Sequence, residues 1–249
     1  MENTIEIREC TTLGELAECV DLQREVFALP EVELSPVRHF VVTRNAGGFT
    51  LGAYDGDRLV GYVLSVPAFL RGEKAFYSHM TGVRQEYQST GIGRRLKWAQ
   101  RESALELGVK FIKWTFEPVK ARNGYFNLEK LGAIVTEYER NFYGTDYAVS
   151  PESGKQIGLQ SDRLFAEWHL ESEKVRALAA GEAWIETRTP EAEIAVSNDW
   201  SQLVATDPAA ALELQLRVRE GFESSLGRGL HAAAFKRDEV EPKYLMFLK

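Results

Sequence analysis

The sequence predicts a mixed α/β fold, with a central, mostly antiparallel sheet flanked by helices and an added C-terminal α+β extension. Three observations lead to this fold class. Asp55-Gly56 joins two alternating apolar runs, which is a strong local signal for a β-hairpin. The next strand-like run leads into an amphipathic helix ended by Gly108, as expected of a crossover between strands. Beyond residue 160, strand and helix patterns alternate once more.

The first part of the chain is expected to form two helices and then an antiparallel meander. Leu13, Leu16 and Val20 recur at helical spacing, and Pro30 cannot continue the helix that they define. The predicted elements are a strand at Ile5–Ile7, helices over 12–29 and 37–43, and strands over 49–54, 58–69 and 75–83.

Helices and strands alternate from residue 90 onward. Arg94, Arg95 and Lys97 are expected on the solvent-facing sides of a helix over 90–107, because apolar or small residues recur on another face. That face contains Ile92, Leu96, Ala99, Ser103 and Leu107. The elements expected next are a strand over 109–116, a helix over 122–131 stopped by Gly132, and a strand over 133–138.

A polar, turn-rich segment, Ser150–Lys155, is the strongest candidate for a linker. We therefore expect a first domain over residues 1–150 and a C-terminal extension over residues 160–249. Asp207-Pro208 predicts the start of a long helix in the extension, because proline is tolerated in a first turn. The other elements expected there are strands over 163–170, 230–235 and 244–248 and a helix over 172–180.

The composition excludes several classes of function. Hydrophobic residues make up 44% and charged residues 27% of the chain, which is typical of a globular protein and not of a disordered one. The net charge of −7 disfavours nucleic-acid binding. No apolar run reaches the roughly 20 residues of a membrane helix, and the acidic N-terminus does not resemble a signal peptide. We expect a cytoplasmic protein with no membrane or nucleic-acid partner.

Neither the cysteines nor the histidines indicate a metal site. Cys10 and Cys19 are expected to be buried small hydrophobic residues in a reducing compartment, because their spacing fits no zinc motif. The histidines are scattered along the sequence, with no pair at ligand spacing: His39, His79, His169 and His231. We therefore expect no metal.

Gly91 and Gly93 flank the first turn of the predicted helix, directly after the meander. N–H groups at a helix N-terminus lack intrahelical partners, and with the positive end of the helix dipole they attract anions. Glycine also lets a phosphate approach the backbone without a Cβ in the way. Basic residues in the first turns oppose the dipole unless an anion is bound. The pattern predicts a phosphate site, although Gly-x-Gly before a helix is also typical of a tight turn without a ligand.

Two other phosphate-binding motifs are excluded. A dinucleotide fingerprint requires a third glycine where Leu96 stands. A P-loop requires Gly-Lys followed by serine or threonine, and Gly154-Lys155 is followed by Gln156.

The segment from Gln88 to Gly93, Gln-Ser-Thr-Gly-Ile-Gly, resembles the Gln/Arg-x-x-Gly-x-Gly/Ala signature of the GNAT acetyltransferase superfamily. Asn123–Gly132 is similar to the next motif of that family, a helix that ends in Lys-Leu-Gly. The resemblance covers residues 1–147. The segment Trp114–Pro118, together with the C-terminal extension, resembles a narrower group of bacterial acetyltransferases.

The resemblance implies a cofactor and an acceptor. Acetyl-CoA, or another short acyl-CoA, would donate its acyl group directly to an amine on a small molecule or a peptide. Backbone groups of Thr81, Gly82 and Val83 would pair with the pantetheine arm, and Asn123 or Asn127 would contact the cofactor from the following helix. The pyrophosphate would be held by backbone N–H groups of Gln88, Ser89, Thr90, Gly91, Ile92, Gly93 and Arg94.

The acid and the base of the reaction remain open. In the family a tyrosine usually protonates the departing thiolate, and here its position is Leu128. Tyr125, one turn away, could replace it or simply pack. His79 and Glu117 are the candidates for the base that deprotonates the amine, His79 because its pKa suits proton transfer at physiological pH. A core histidine and a helix-capping glutamate are the alternative interpretations.

These observations favour an N-acyltransferase that is dependent on acyl-CoA. The alternative from another class is an inactive acyl-CoA-binding sensor or scaffold, supported by Leu128. A phosphate-binding module unrelated to CoA is a further alternative. The extension could complete the acceptor site or form a homodimer contact.

Overall fold

The structure, a computed structural model, describes residues 5–27, 29–144 and 159–248. The chain forms two compact units, the first containing the residues up to Lys113 with His169–Glu171, and the second Trp114–Trp168 with Ser172–Lys249. The segment Ser150–Lys155, which we expect to be a linker, lies outside the described residues. The division into residues 1–150 and 160–249 stays a prediction.

The first unit contains the predicted meander and the helices around it. Strand β1 covers Glu6–Glu9 and is followed by helices α1 (Leu13–Phe27) and α2 (Val37–Asn45), strands β2 (Phe49–Asp55), β3 (Arg58–Leu70) and β4 (Glu73–Val83), and helix α3 (Ile92–Glu106). Strand β5 (Phe111–Phe116) begins in this unit, and its last three residues belong to the second unit. Short 3₁₀ turns at Glu31–Glu33 and Gln85–Tyr87, which the apolar periodicity does not reveal, complete the first unit.

The sheet order in this unit is β1-β2-β3-β4-β5. All pairs are antiparallel except β4 with β5, in which Phe76 and Tyr77 pair with Ile112 and Lys113. Helix α3 makes the crossover that a parallel pair requires. One core cluster joins α1, α2 and the sheet, and the free thiols of Cys10 and Cys19 lie buried in it with 4.0 Å between their Sγ atoms. The predicted burial of both cysteines is confirmed.

The second unit continues the chain after Lys113. Its elements are α4 (Ala121–Tyr125), extended by a π-helical turn at Phe126–Lys130, then β6 (Ile134–Glu139), β7 (Arg163–His169), α5 (Glu173–Ala179), β8 (Ala192–Ala195), α6 (Trp200–Thr206), α7 (Pro208–Gly227), β9 (Leu230–Lys236) and β10 (Lys243–Leu248). The strands pair antiparallel in the order β7-β6-β9-β10-β8. Helix α7 begins at Pro208, as the sequence predicts, and the side chain of Asp207 caps it by accepting the N–H of Ala210.

A membrane span is not found in the part of the chain that the structure describes, since none of its helices combines the necessary length with sufficient apolar character.

A β-bulge in β4 interrupts the alternation of its side chains. Leu64 of β3 pairs with Met80 and Ser65 pairs with Ser78, so His79 is an extra residue in β4. Met80 packs against the core cluster of α1 and α2, and the ring of His79 contacts α2 as well. The bulge therefore directs two consecutive side chains to one face of the sheet, while Ser78 lies on the other.

A buried polar network lies beneath the bulge on the α3 side. Lys97 Nζ donates to Ser78 Oγ at 3.0 Å and to Gln100 Oε1 at 2.6 Å. Gln100 Nε2 donates to Ser65 Oγ at 2.7 Å. Burial lowers the pKa of Lys97 well below its ordinary value. The expectation that Lys97 lies on a solvent-facing side of α3 is wrong, because its Nζ has hydrogen-bond partners inside.

The buried face of α3 consequently differs from the predicted one. It contains Ile92, Leu96, Lys97, Gln100 and Ala104, whereas Leu107 is 57% exposed. Sequence patterns assign polar residues to the surface, and this helix instead buries two of them as mutual partners.

Replacing Lys97 by methionine is expected to remove a pH dependence of stability. The pKa of Lys97 is lower in the folded chain than in the unfolded chain, so between these two values the unfolded chain binds more protons. The free energy of unfolding therefore rises with pH up to about 10.4, and the variant should lack this rise. Urea unfolding at a series of pH values measures it.

The exposed Lys74 of β4 provides the control. A Lys74→Met variant should keep the wild-type slope of unfolding free energy against pH. If the curves of unfolding free energy against pH are parallel for the wild type and Lys97→Met, the pKa of Lys97 is not lowered in the folded protein.

Candidate functional site

The join between β4 and α3 has the backbone geometry of an anion site. Gly91 is the N-terminal cap of α3, with φ of 91° in the left-handed region that favours glycine. Ser89 also has a positive φ, 66°. No side chain caps the helix, and its first bond runs from the N–H of Arg95 to the carbonyl of Gly91. We call Gln88–Arg94 the phosphate loop.

The backbone N–H groups from Ser89 to Arg94 have no acceptor among the described residues. The N–H of Gln88 differs, since it donates to the carbonyl of Gln85 at 3.1 Å. Seven backbone N–H groups are predicted to contact the pyrophosphate, and that of Gln88 is thus already hydrogen-bonded within the protein. The remaining donors lie at the positive end of the α3 dipole.

The space around the glycines is open. A Cβ on Gly91 would meet nothing within 4 Å, and one on Gly93 would meet Val83 Cγ2 at 3.8 Å, an ordinary contact. No positive φ is found at Gly93. Gly91 is therefore required by its backbone conformation, whereas Gly93 leaves room on the surface where a ligand would approach.

The charges at the loop come from two arginines. The exposed guanidinium of Arg94 has no partner among the described residues, and Arg95 Nη2 donates to the carbonyl of Ile5 at 2.7 Å. With Lys97 buried, Arg94 is the basic side chain that remains available to an anion at this helix end.

The end of β4 presents backbone groups along one edge. The N–H of Arg84 donates to the carbonyl of Val60 on β3, so the alternation of an antiparallel ladder directs Gly82 toward β3 and Thr81 and Val83 away from it. The carbonyl of Val83 accepts a hydrogen bond from Gln88 Nε2 at 3.1 Å. Two of the three residues predicted to pair with pantetheine thus face outward.

His79 is the bulge residue of β4 and is held on two sides. Its Nε2 lies 3.0 Å from Ser35 Oγ, and its ring stacks on that of His39 with 5.4 Å between centroids and 22° between planes. Burial, and to a smaller extent the neighbouring His39, lower the pKa of His79 below its ordinary value. The ring is therefore neutral at neutral pH, which is the state that a base requires.

Stacking of His39 on His79 shows that the histidines are less scattered than their sequence positions indicate. The rings are nearly parallel, so their nitrogens do not converge on one point as metal ligands do. Within residues 5–27, 29–144 and 159–248, no group of three or more His, Cys, Asp or Glu side chains is arranged to hold a metal ion.

Glu117 lies in the second unit, after the end of β5. Its carboxylate forms an ion pair with Lys120, and its Oε1 lies 3.9 Å from Arg163 Nη1. Its carboxylate oxygens are thus engaged by two cationic side chains, whereas Nδ1 of His79 has no hydrogen-bond partner among the described residues. Of the two candidate bases, His79 has the environment that suits the role better.

Tyr125 ends α4 in the second unit. Lys130 Nζ lies 5.2 Å and Arg237 Cζ 4.8 Å from the centroid of its ring. Lys130 in the first place, and Arg237 after it, lower the pKa of the phenol below its ordinary value. Leu128, at the usual tyrosine position of the family, is completely buried. Tyr125 is thus a stronger acid than an ordinary tyrosine, whereas Leu128 packs in the core.

The two asparagines of this segment differ. Asn127 is 4% exposed, and its Oδ1 accepts a hydrogen bond from Trp114 Nε1 at 3.3 Å. The half-buried side chain of Asn123 makes no hydrogen bond within the described part of the chain. Of the two, Asn123 is the one whose amide is available to a ligand.

Sequence reasoning missed Ser35 and Gln23 altogether. Both Gln23 amide atoms bond the backbone of Ser35, and the hydroxyl of Ser35 in turn contacts His79. A glutamine at a buried position of an amphipathic helix is the only signal in the sequence, because Gln23 falls on the same face as Leu16 and Val20.

Known proteins resemble parts of this chain in sequence and in fold. The sequence model of the acetyltransferase (GNAT) family matches residues 16–133. Among solved structures, the ribosomal-protein-S18-alanine N-acetyltransferase of Escherichia coli has a TM-score of 0.52 and 14% identity, over 66% of this chain and 93% of its own. An aminoglycoside 6′-acetyltransferase type Ii has a TM-score of 0.52 and 18% identity, over 68% and 99%. The comparison with curated proteins gives no match.

At these identities the structural likeness shows the fold, and the predicted α/β GNAT fold with its mostly antiparallel sheet is confirmed. The family match covers the meander, the phosphate loop and the Lys130-Leu131-Gly132 turn. This protein therefore contains a domain of the acetyltransferase (GNAT) family over residues 16–133.

Proposed function

We propose that this protein is an acyl-CoA-dependent N-acyltransferase that moves an acetyl or other short acyl group to an amine by direct attack. The observation that carries the proposal is the row of backbone N–H groups from Ser89 to Arg94, which have no acceptor among the described residues. Such donors at a helix N-terminus suit the pyrophosphate of CoA.

The residues present fit that cofactor. The open surface at Gly91 and Gly93 admits a phosphate, and the guanidinium of Arg94 adds a charge of the required sign. The outward backbone groups of Thr81 and Val83 suit an amide-bearing arm laid along β4 as an additional strand. A contact of the cofactor with the amide of Asn123, which belongs to the second unit, stays a prediction. Bound acetyl-CoA supplies the acyl group as a thioester.

His79 is proposed as the base. It takes a proton from the ammonium form of the acceptor, which leaves the amine nitrogen with a free electron pair for attack on the thioester carbonyl. The lowered pKa keeps the imidazole able to accept that proton at neutral pH. Tyr125 is proposed as the acid that protonates the departing thiolate, since its lowered pKa favours proton donation.

The proposed acceptor is an amine of either a small molecule or a peptide. The names of the two structural neighbours specify a protein alanine and an aminoglycoside, and the low identity transfers neither to this chain. The cytoplasmic location, the homodimer and a role of residues 160–249 in acceptor binding stay predictions.

The sensor alternative is supported by Leu128. It differs from the enzyme in one measurable respect, since it binds acetyl-CoA without releasing thiol when amines are supplied. Calorimetric titration with acetyl-CoA, followed by a free-thiol assay across a panel of amines and amino-terminal peptides, separates the two functions.

A Gly93→Glu variant is expected to lose CoA binding while remaining folded. The backbone at Gly93 tolerates a side chain, and a carboxylate near a helix N-terminus is stabilising for the free protein. The same carboxylate repels a pyrophosphate and covers its donors, so affinity should fall about 100-fold or more. Calorimetry with CoA and a thermal unfolding scan measure the two effects.

Gly93→Gln is the matched control, because it adds the same bulk without the charge. It should bind CoA more tightly than Gly93→Glu does. Unchanged CoA affinity in Gly93→Glu would contradict the assignment of the phosphate loop as the CoA site. If ATP displaces bound acetyl-CoA as effectively as CoA does, the protein is instead a phosphate-binding module unrelated to CoA.

Replacing His79 by glutamine is expected to lower kcat by about 10²-fold to 10⁴-fold, with CoA affinity unchanged, because it removes the general base. In the wild type the rate should fall as pH decreases through the lowered pKa of His79, and this acidic limb should disappear from the residual activity of the variant. Initial rates of thiol release against pH provide the measurement.

Glu117→Gln serves as the comparison between the two candidate bases. Its effect on kcat should be smaller than that of His79→Gln, because Glu117 is already paired with Lys120 and Arg163. The reverse order of effects would assign the base to Glu117.

A further inference from the structure

Ser35 is fixed in place by the side chain of Gln23, which has no other hydrogen-bond partner among the described residues. Gln23 on α1 is completely buried; its Oε1 accepts the N–H of Ser35 at 2.9 Å, and its Nε2 donates to the Ser35 carbonyl at 3.2 Å. Pro36 follows and restricts residue 35 to extended backbone. Both polar groups of the Ser35 backbone are thus satisfied, and its side chain has a defined direction.

The side chain of Ser35 points to the imidazole of His79. Ser35 is 7% exposed, and its Oγ lies 3.0 Å from His79 Nε2. His39 covers one face of the same ring. Ser35 thus fixes the edge of the ring and His39 fixes its plane, so the second nitrogen, Nδ1, also has a fixed direction.

Nδ1 of His79 makes no hydrogen bond within the described residues, in contrast to Nε2. In a neutral imidazole one nitrogen carries the proton and the other accepts one, and the hydrogen bond at one nitrogen decides which. If Nε2–H donates to Ser35 Oγ, the same bond persists when Nδ1 is protonated. No group then has to reorient during proton transfer.

We propose that Ser35, held by Gln23, is a positioning residue for His79: its Oγ accepts a hydrogen bond from Nε2–H and leaves Nδ1 as the nitrogen that receives the proton of the acceptor. The proposal rests on the function of His79 as the base. In this step one N–H bond of the ammonium breaks, an Nδ1–H bond forms, and the electron pair stays on the amine. The imidazolium later returns its proton to solvent.

The tautomer of His79 is measured without any turnover. The chain has four histidines, so ¹H–¹⁵N spectra of histidine-labelled protein are simple, and the His79→Gln variant assigns the signals of His79. We expect the Nε2–H tautomer in the wild type and a mixture of tautomers in Ser35→Ala and Gln23→Leu. Ser35→Thr, which keeps the hydroxyl, should restore the wild-type spectrum.

Kinetics supply the second measurement. Ser35→Ala should lower kcat by about 10-fold to 100-fold, with the KM for acetyl-CoA unchanged, and Ser35→Thr should recover most of the loss. Ser225→Ala removes another buried serine hydroxyl, on α7, and should leave spectrum and rate as in the wild type.

Three results would overturn the proposal. The first is an Nδ1–H tautomer in the wild type. The second is a wild-type tautomer and rate in Ser35→Ala. The third is an acetyl group on Ser35 after incubation with acetyl-CoA alone, detected by peptide mass spectrometry, because the hydroxyl would then be a nucleophile activated by His79. Absence of turnover in the wild type would refute the proposed function, while the spectra would still decide the role of Ser35.

Discussion

The bulge at His79 is the constraint on which the arrangement of the first unit depends. Without the extra residue, His79 and Met80 would face opposite sides of β4. With it, Met80 fills the core against α1 and α2, and His79 reaches Ser35 and His39 on the same face. A bulge leaves ladder groups unpaired and costs stability, so its retention beside a candidate base is consistent with a functional purpose.

The network on the other side of the sheet supports this irregular strand. Ser65 and Ser78 flank the bulge on β3 and β4, and both bond to residues of α3. The same helix carries the phosphate loop at its N-terminus, with Lys97 one turn after Gly93. One element thus fixes both the unpaired backbone donors of the loop and the strand that carries the candidate base, His79. Polar partners specify this register more sharply than apolar contacts, since each hydroxyl and amide must find its partner.

Acyl transfer requires little from the protein beyond orienting the two substrates and transferring protons. An amine attacks a thioester readily once it is neutral, and thiolate is a tolerable leaving group because the pKa of a thiol is near 8.5. The environments of the candidate groups differ accordingly. Burial lowers the pKa of His79 and favours its neutral form, whereas the nearby cations lower the pKa of Tyr125 and favour its ionised form. Both shifts are downward, and they leave His79 able to accept a proton and Tyr125 better able to donate one at neutral pH.

Sequence alone determined the local structure and the position of the phosphate loop. Apolar periodicity, Asp55-Gly56, Gly108 and Asp207-Pro208 act through backbone conformation and neighbouring residues, so their consequences can be predicted without knowing the fold. Only the tertiary structure decided the rest. The burial of Lys97 depends on Ser78 of β4, a partner 19 residues away in the sequence, and Ser35 lies 44 residues before His79. The bulge leaves no mark in the residue pattern, because it arises from how β4 pairs with β3. Contacts between distant residues and the register of a ladder are properties of the packed chain, and no local pattern encodes them.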